Sequence, residues 1–236
     1  MRSSNPGTFR RWPGPIPGLN EIFVVPFACW RSALPVLAVG LALALPASAH
    51  GIGHLEKVLL QREPYVEFVR EEARDFTLLD AEGRSIGLAG FRDKVVALNF
   101  IYASCPDLCP IQSDKIAEIQ RLVNETPMRE LVQFISVTTD PVRDTPDVLG
   151  SYAPAHGLDP ANWMFLTSGA DDPEATRALA ADYGLEFTPG EAGYIMHGAV
   201  LFMIDRTGTI RARFHGLKFN SMNAVLYINA LANDAH

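Results

Sequence analysis

The sequence predicts an α/β fold in which a central β-sheet is flanked by helices. The prediction rests on runs of consecutive apolar, β-prone residues, which are typical of strands buried on both faces. Three such runs are Lys94–Tyr102, Leu131–Thr139 and Trp163–Ser168. A helix is predicted after each of them, and this alternation of strand and helix is typical of layered α/β domains.

The first buried run, Lys94–Tyr102, leads into the most unusual stretch of the chain. The stretch is CPDLCP, in which Cys105 and Cys109 stand four residues apart and each is followed by proline. Apolar residues then recur at roughly helical spacing over Ile111–Leu122. The two cysteines are therefore predicted on the turn between a central strand and the start of a helix.

The later elements continue this order. Thr145 and Pro146 predict the cap and first residue of a helix after the second strand. The remaining predicted elements are a hairpin over Phe76–Leu88, a helix from Asp172 to about Tyr183, a hairpin formed by Tyr194–Asp205 with Thr209–Gly216, and a last helix over Ser221–Asn233. Together they have the order of a thioredoxin-like fold with an added hairpin.

Residues 1–49 are predicted to be a signal peptide or a membrane anchor. Their apolar core, Ala33–Pro46, has 14 residues, fewer than the roughly 20 that span a bilayer. Small residues at Ala47–Ala49 suit a signal peptidase and predict cleavage before His50, with export to the periplasm. The alternative is an uncleaved anchor over Phe23–Ala49 that tolerates Arg31 and holds the protein at the inner membrane.

The part predicted to remain after cleavage is one acidic domain. The whole chain has a formal net charge of −7, and residues 1–49 carry four arginines and one glutamate, so the rest stands near −10. Such a surface argues against binding to nucleic acid or to anionic lipid headgroups. Residues 50–72 have a mixed, charged composition and are expected to form a leader that packs loosely on a domain at 73–236.

Cys105 and Cys109 are the two cysteines of this predicted mature part. In an oxidising compartment such a pair forms a disulfide, a redox couple or a metal site. At the start of a helix, residues i and i+4 share one face with Cα atoms about 6 Å apart, which suits either a disulfide or two thiolates on one soft ion. The helix N-terminus is expected to lower the pKa of both thiols. An inert disulfide is the remaining alternative, but closing so short a loop adds little stability.

Histidines are the other candidate ligands. His197 lies in a strand or just ahead of one, among apolar neighbours, where a structural histidine and a ligand are both consistent with the sequence. His156 and His215 are expected to be solvated. His50 and His54 would lie at the mature N-terminus, where a metal could use them with the free amine.

At its motifs the sequence resembles the Sco/SenC proteins, copper-binding assembly factors of cytochrome c oxidase. The resemblance rests on CPDLCP after a buried strand, then SVTTDPVRDTP, then YIMHGAVLFMID, and covers roughly residues 70–234. It implies that Cys105, Cys109 and His197 bind copper. Two thiolates select Cu(I) and an added imidazole also accommodates Cu(II). Zinc would suit these ligands as well, but a structural zinc site normally has a fourth protein ligand.

Two positions near these motifs need separate interpretation. Asp140 and Asp144 match the second motif, and we interpret Asp144 as part of the loop and helix start. The family often has aspartate just before the ligand histidine, where this chain has Met196. Met196 is expected to face away from His197 and to pack, so a hydrogen-bond acceptor for the imidazole is missing.

The resemblance implies a periplasmic metallochaperone. Its partners would be a copper donor protein and the copper-site subunit of a respiratory oxidase, whose binuclear centre it would load or prepare. The alternative is a thiol–disulfide oxidoreductase that uses Cys105 and Cys109 as a redox-active disulfide and gains nothing from an imidazole at His197. A peroxidase of the same superfamily is less consistent with Tyr102–Ser104, because it would need a Pro/Thr setting before the cysteine. A pure interaction domain is a further alternative.

Overall fold

A computed structural model describes residues 51–106, 108–190 and 193–234, with the side chains of 189–197 excepted. The predicted signal peptide or anchor at 1–49 lies outside the described residues. Among the described helices, none has the length and apolar character needed to cross a membrane.

The described residues form ten strands and five α-helices. The strands are β1 (Val66–Glu72), β2 (Thr77–Leu79), β3 (Ser85–Gly87), β4 (Val95–Ile101), β5 (Val132–Thr138), β6 (Trp163–Leu166), β7 (Glu186–Gly190), β8 (Gly193–His197), β9 (Val200–Ile204) and β10 (Thr209–His215). The helices are α1 (Ile52–Arg62), α2 (Leu108–Asn124), α3 (Pro146–His156), α4 (Pro173–Asp182) and α5 (Ser221–Asn233). Short 3₁₀ turns at Leu88–Phe91 and Pro127–Leu131 precede β4 and β5.

Six strands form the central sheet, in the order β1-β10-β9-β4-β5-β6. β4, β5 and β6 are parallel, whereas β9, β10 and β1 join β4 through antiparallel pairs. Every residue of β4 and β5 is buried, as expected for strands covered on both faces. The predicted thioredoxin-like order of a central sheet flanked by helices is confirmed.

Two apolar cores lie on the two faces of this sheet. Val95 and Ala97 of β4 belong to one core, and Val96 and Leu98 belong to the other, because successive side chains of a strand point to opposite faces. Helices α1, α2, α3 and α5 cover the first face, and α4 with the β2–β3 hairpin covers the second. The helix that carries Cys109 therefore packs against the strand that precedes the cysteines.

The segment 50–72 differs from the loosely packed leader that its composition predicted. β1 pairs with β10 as the edge strand of the central sheet, and α1 buries Leu59 in the first core. The carboxylate of Glu63 is buried and accepts hydrogen bonds from the backbone of Asn220, at 2.8 Å, and from the side chain of Asn223, at 2.9 Å. The domain therefore begins before residue 73.

The predicted strand Tyr194–Asp205 is divided into two elements. β8 pairs with β7 in a separate two-stranded hairpin, and β9 joins the central sheet, where it pairs with β10 as predicted. Gly198 stands between them with φ of 88°, a backbone conformation that glycine adopts without steric cost. Only His197 and Gly198 separate the apolar residues of the two strands, so the sequence was interpreted as one strand.

Candidate copper and thiol site

The two cysteines lie where CPDLCP predicts them. Cys105 is in the loop after β4 and Cys109 is in the first turn of α2, with exposed fractions of 9% and 3%. Both side chains are thiols. The backbone N–H of Cys109 donates to Sγ of Cys105 with an N–Sγ distance of 3.4 Å. The sulfur of Cys105 therefore lies at the positive end of the helix, where a thiolate is favoured.

Burial dominates the acidity of Cys109. It raises the pKa of this thiol well above its ordinary value, and the neighbouring Cys105 and Asp144 raise it further, against one backbone hydrogen bond from Tyr102. The expectation that the helix N-terminus lowers the pKa of both thiols is thus wrong for Cys109. Desolvation destabilises the buried thiolate by more than the helix N-terminus stabilises it. Cys109 therefore ionises only when a positive charge compensates.

Tyr102 is a further member of the site, and the sequence pattern did not identify it as one. Burial, together with a hydrogen bond to the side chain of Cys105, raises the pKa of Tyr102 to about 12. The phenol therefore keeps its proton at neutral pH and stands beside the Cys105 sulfur. A tyrosine three residues before a cysteine carries no general signal of this contact.

Asp144 connects the cysteine loop to β5. Its side chain is 1% exposed, and its Oδ2 accepts hydrogen bonds from the backbone of Ala103, at 3.0 Å, and from the hydroxyl of Thr138. Burial raises the pKa of this carboxyl, although both hydrogen bonds oppose the effect. The interpretation of Asp144 as helix-start geometry was too narrow. The helix begins at Pro146 as predicted, but the Thr145 side chain makes no capping hydrogen bond.

The other histidines fall into three groups. His156 ends α3, and its side chain is only 17% exposed, contrary to the solvated position expected for it, because its ring packs on Tyr152 and pairs with Asp114 at 3.0 Å. His215 is half exposed, as predicted, and lies 3.2 Å from a Glu67 oxygen. His54 lies in α1, and position 50 is outside the described residues.

The backbone of His197 leads toward the cysteine end of the sheet. His197 ends β8, opposite Glu186 of β7. β9, which follows, runs antiparallel to β4 with Phe202 opposite Leu98. Val200 at the start of β9 therefore lies toward the end of β4 from which the cysteine loop leaves.

A side chain of α2 reinforces this placement. Gln112, one turn after Cys109, donates from Nε2 to the carbonyl oxygen of Val200 at 3.2 Å. Three extended residues span about 10 Å at most, so the backbone of His197 lies within that distance of Val200. Among the side chains that the structure describes, no three His, Cys, Asp or Glu residues form a metal cluster. The side chain of His197 is not among them, so ligation by its ring stays a prediction.

Comparisons with known sequences support this assignment of the motifs. The family model SCO1/SenC matches residues 67–232. The human mitochondrial protein SCO2 homolog is 35% identical over 100 residues, which are 41% of this chain and 38% of that protein. A Stutzerimonas stutzeri protein named for copper binding is 29% identical over 210 residues, which are 83% of this chain and 93% of that protein. The match to the human relative thus spans about two-fifths of that protein's length.

Solved structures have the same fold. A SCO1/SenC family lipoprotein from Bacillus anthracis has a TM-score of 0.63 at 22% identity, covering 71% of this chain and 98% of its own. BsSco, described with a disulfide switch and as a member of the Sco family of cytochrome c oxidase assembly proteins, has a TM-score of 0.62 at 19% identity, covering 71% and 96%. Yeast Sco1 with copper bound has a TM-score of 0.58 at 22% identity, covering 70% and 91%. The family model and the shared fold confirm the resemblance carried by the motifs, and the chain belongs to the SCO1/SenC family.

Proposed function

We propose that this protein is an exported copper chaperone that holds copper on Cys105, Cys109 and His197 and supplies the copper centre of a cytochrome c oxidase. Membership of the SCO1/SenC family supports the assignment. Relatives named for copper binding, or solved with copper bound, support the choice of metal. Copper is the cargo in this proposal, so the site must release it as well as bind it.

The observation that carries the proposal is the buried pair of thiols. Cys105 and Cys109 are almost fully enclosed, and burial together with the neighbouring sulfur raises the pKa of Cys109. Cys109 therefore keeps its proton in the absence of a cation, and a bound soft metal ion displaces it. Two thiolates suit Cu(I), and the imidazole of His197 would extend the site to Cu(II).

A second function, reduction of a disulfide in the acceptor protein, is favoured by the asymmetry of the two thiols. Cys105 is the more exposed and receives the backbone N–H of Cys109, so it is the better attacking group. Its thiolate would attack one sulfur of the acceptor disulfide, and Cys109 would then displace the second thiol. The acceptor leaves with two thiols, and Cys105 and Cys109 form the disulfide.

The surface beside the cysteines suits a protein acceptor. Leu108 and Ile111, in the first turns of α2, are 39% and 53% exposed, and they flank Cys109 along the helix. Large apolar side chains on a surface mark sites of protein contact when they cluster. We propose that the copper-site subunit of the oxidase covers these residues and that a donor protein delivers copper to the same face.

We also propose that residues 1–49 direct export to the periplasm or anchor the protein at the inner membrane.

Copper titration of the reduced protein tests the proposal. We expect one Cu(I) or one Cu(II) per chain, and Cys105→Ser or Cys109→Ser should abolish stoichiometric binding because each removes a thiolate that no other described side chain can replace. His215→Ala is the control, since it removes a half-exposed imidazole that pairs with Glu67 and is not one of the proposed ligands. A reduced parent protein that exchanges thiols with a model disulfide but binds no copper would leave the oxidoreductase function in place of the chaperone.

A further inference from the structure

Gln112 is a buried amide in the helix that carries Cys109. Its side chain is 3% exposed, and Nε2 donates to the carbonyl oxygen of Val200, 88 residues further along the chain, at 3.2 Å. Leaving a buried donor without a partner is destabilising, so this hydrogen bond restrains the Gln112 side chain in its position. The bond joins Val200, the first residue of β9 after the break that follows β8, to α2 at a position one helical turn after Cys109.

The other described constraints lie on either side of the break, where Val200 pairs with His215 of β10 and Phe187 of β7 packs against the second core. Gly198 has φ of 88° and no heavy atom within 4 Å of a Cβ built on it. Ala199 is held through its carbonyl oxygen, which accepts from the backbone N–H of Gly216 at 2.6 Å. The hairpin β7–β8 forms its own two-stranded sheet and does not join the central one. The position of His197 relative to α2 therefore depends on how this joint is held.

We propose that Gln112 is a positioning residue that sets where His197 stands relative to Cys105 and Cys109. The inference rests on the proposed copper site and deepens it. The two thiols stand in or next to α2 and do not depend on the joint, whereas the imidazole does. Loss of the Gln112 amide should therefore weaken the binding of Cu(II), the ion that needs the imidazole. The binding of Cu(I) by two thiolates should be almost unchanged.

The same helix offers a matched control. Gln120 is 1% exposed, and its Nε2 donates to the carbonyl oxygen of Asp159 at 2.8 Å and to Oδ1 of Asn162 at 2.7 Å. This amide is as buried as Gln112 and also joins α2 to another element, the loop ahead of β6. It lies more than two turns further along the helix, and its described hydrogen bonds go to Asp159 and Asn162, away from the histidine joint.

The experiment compares Gln112→Met with Gln120→Met in the full chain, each titrated with Cu(I) and Cu(II) after reduction. Methionine keeps the length of glutamine and removes the donor. Gln112→Met should lower the affinity for Cu(II) by about 10- to 100-fold, the range for groups that orient a metal ligand. It should lower the affinity for Cu(I) by less than about threefold. In the copper-free protein, backbone amide exchange over 198–201 should be faster. Gln120→Met should leave the Cu(II)/Cu(I) affinity ratio and this exchange unchanged.

Combination with His197→Ala separates the inference from the proposed ligand set. If both are right, Gln112→Met adds nothing to the Cu(II) loss already caused by His197→Ala. If His197→Ala weakens Cu(II) but Gln112→Met does not, the positioning role is wrong and the ligand set stands. If His197→Ala leaves Cu(II) binding unchanged, both are overturned. Gln112→Asn, whose shorter amide cannot reach Val200, should repeat the Gln112→Met result if the methionine variant fails to fold.

Discussion

Asp144 is a buried carboxylate that is hydrogen-bonded directly to the loop that carries Cys105. It holds Ala103 and Thr138 through Oδ2, while Oδ1 is buried without a hydrogen-bond partner among the described residues. The sequence predicted the cysteines because CPDLCP follows a buried strand directly. It did not predict this contact, because Asp144 and Ala103 are 41 residues apart and meet only when β4 and β5 pair.

Asp144 should make stability fall as pH rises. Burial raises its folded-state pKa, so its contribution is fully present below the unfolded pKa of about 3.9 and is lost as pH passes through the raised folded value. Asp144→Asn removes this titration and keeps an acceptor for Ala103. We expect its free energy of unfolding, measured with denaturant, to increase relative to the parent between about pH 4 and pH 7. A difference that does not vary with pH would contradict the assignment.

Asp205 is the matched control of opposite sign. Burial alone would raise its pKa, but hydrogen bonds from Thr207, Thr209 and Arg211 together hold it below the ordinary value. Its stabilisation is present above the unfolded pKa and is lost as pH falls through the lower folded value. Asp205→Asn should therefore lose stability relative to the parent most strongly at neutral pH and least in acid.

At the scale of elements, helix α1, the edge strand β1 and the hairpin β7–β8 were features that the sequence did not predict. The outward face of β1 carries Glu67 and Glu71, which pair with Arg213 of β10 at 3.3 and 2.5 Å. These charges suit an exposed sheet edge but obscure the apolar alternation that identifies a strand. The central strands were predicted correctly because burial on both faces leaves continuous apolar runs.

Glu63 provides the test that the segment before residue 73 belongs to the domain. Glu63→Ala removes the acceptor for the backbone of Asn220 and the side chain of Asn223 at the start of α5. We expect a loss of about 1–3 kcal/mol in the free energy of unfolding, the cost of unpaired buried groups. Glu72→Ala, at an exposed position of β1, should change it by less than about 0.5 kcal/mol. Equal effects of the two variants would favour a loosely packed leader.

At the scale of the whole molecule, the fold and the identity of the site depend on different kinds of signal. Alternating strands and helices were sufficient for the α/β class, and the order of three motifs was sufficient for the family. The cysteines are four residues apart in the sequence and were assigned from local spacing. His197 is 88 residues beyond Cys109, so spacing could not relate it to them, and only the resemblance did. The described backbone supports that relation through β4, β9 and Gln112.

The most direct test of the copper-chaperone account is the copper affinity of His197→Ala, measured for both oxidation states and combined with oxidase assembly in cells. The variant should keep Cys105 and Cys109 redox-active, because thiol exchange needs only a thiolate and a leaving sulfur. It should weaken Cu(II) binding far more than Cu(I) binding, because two thiolates still satisfy the softer ion, and it should impair assembly. A variant that binds both ions like the parent and supports assembly would contradict the account, and thiol exchange would then be the function.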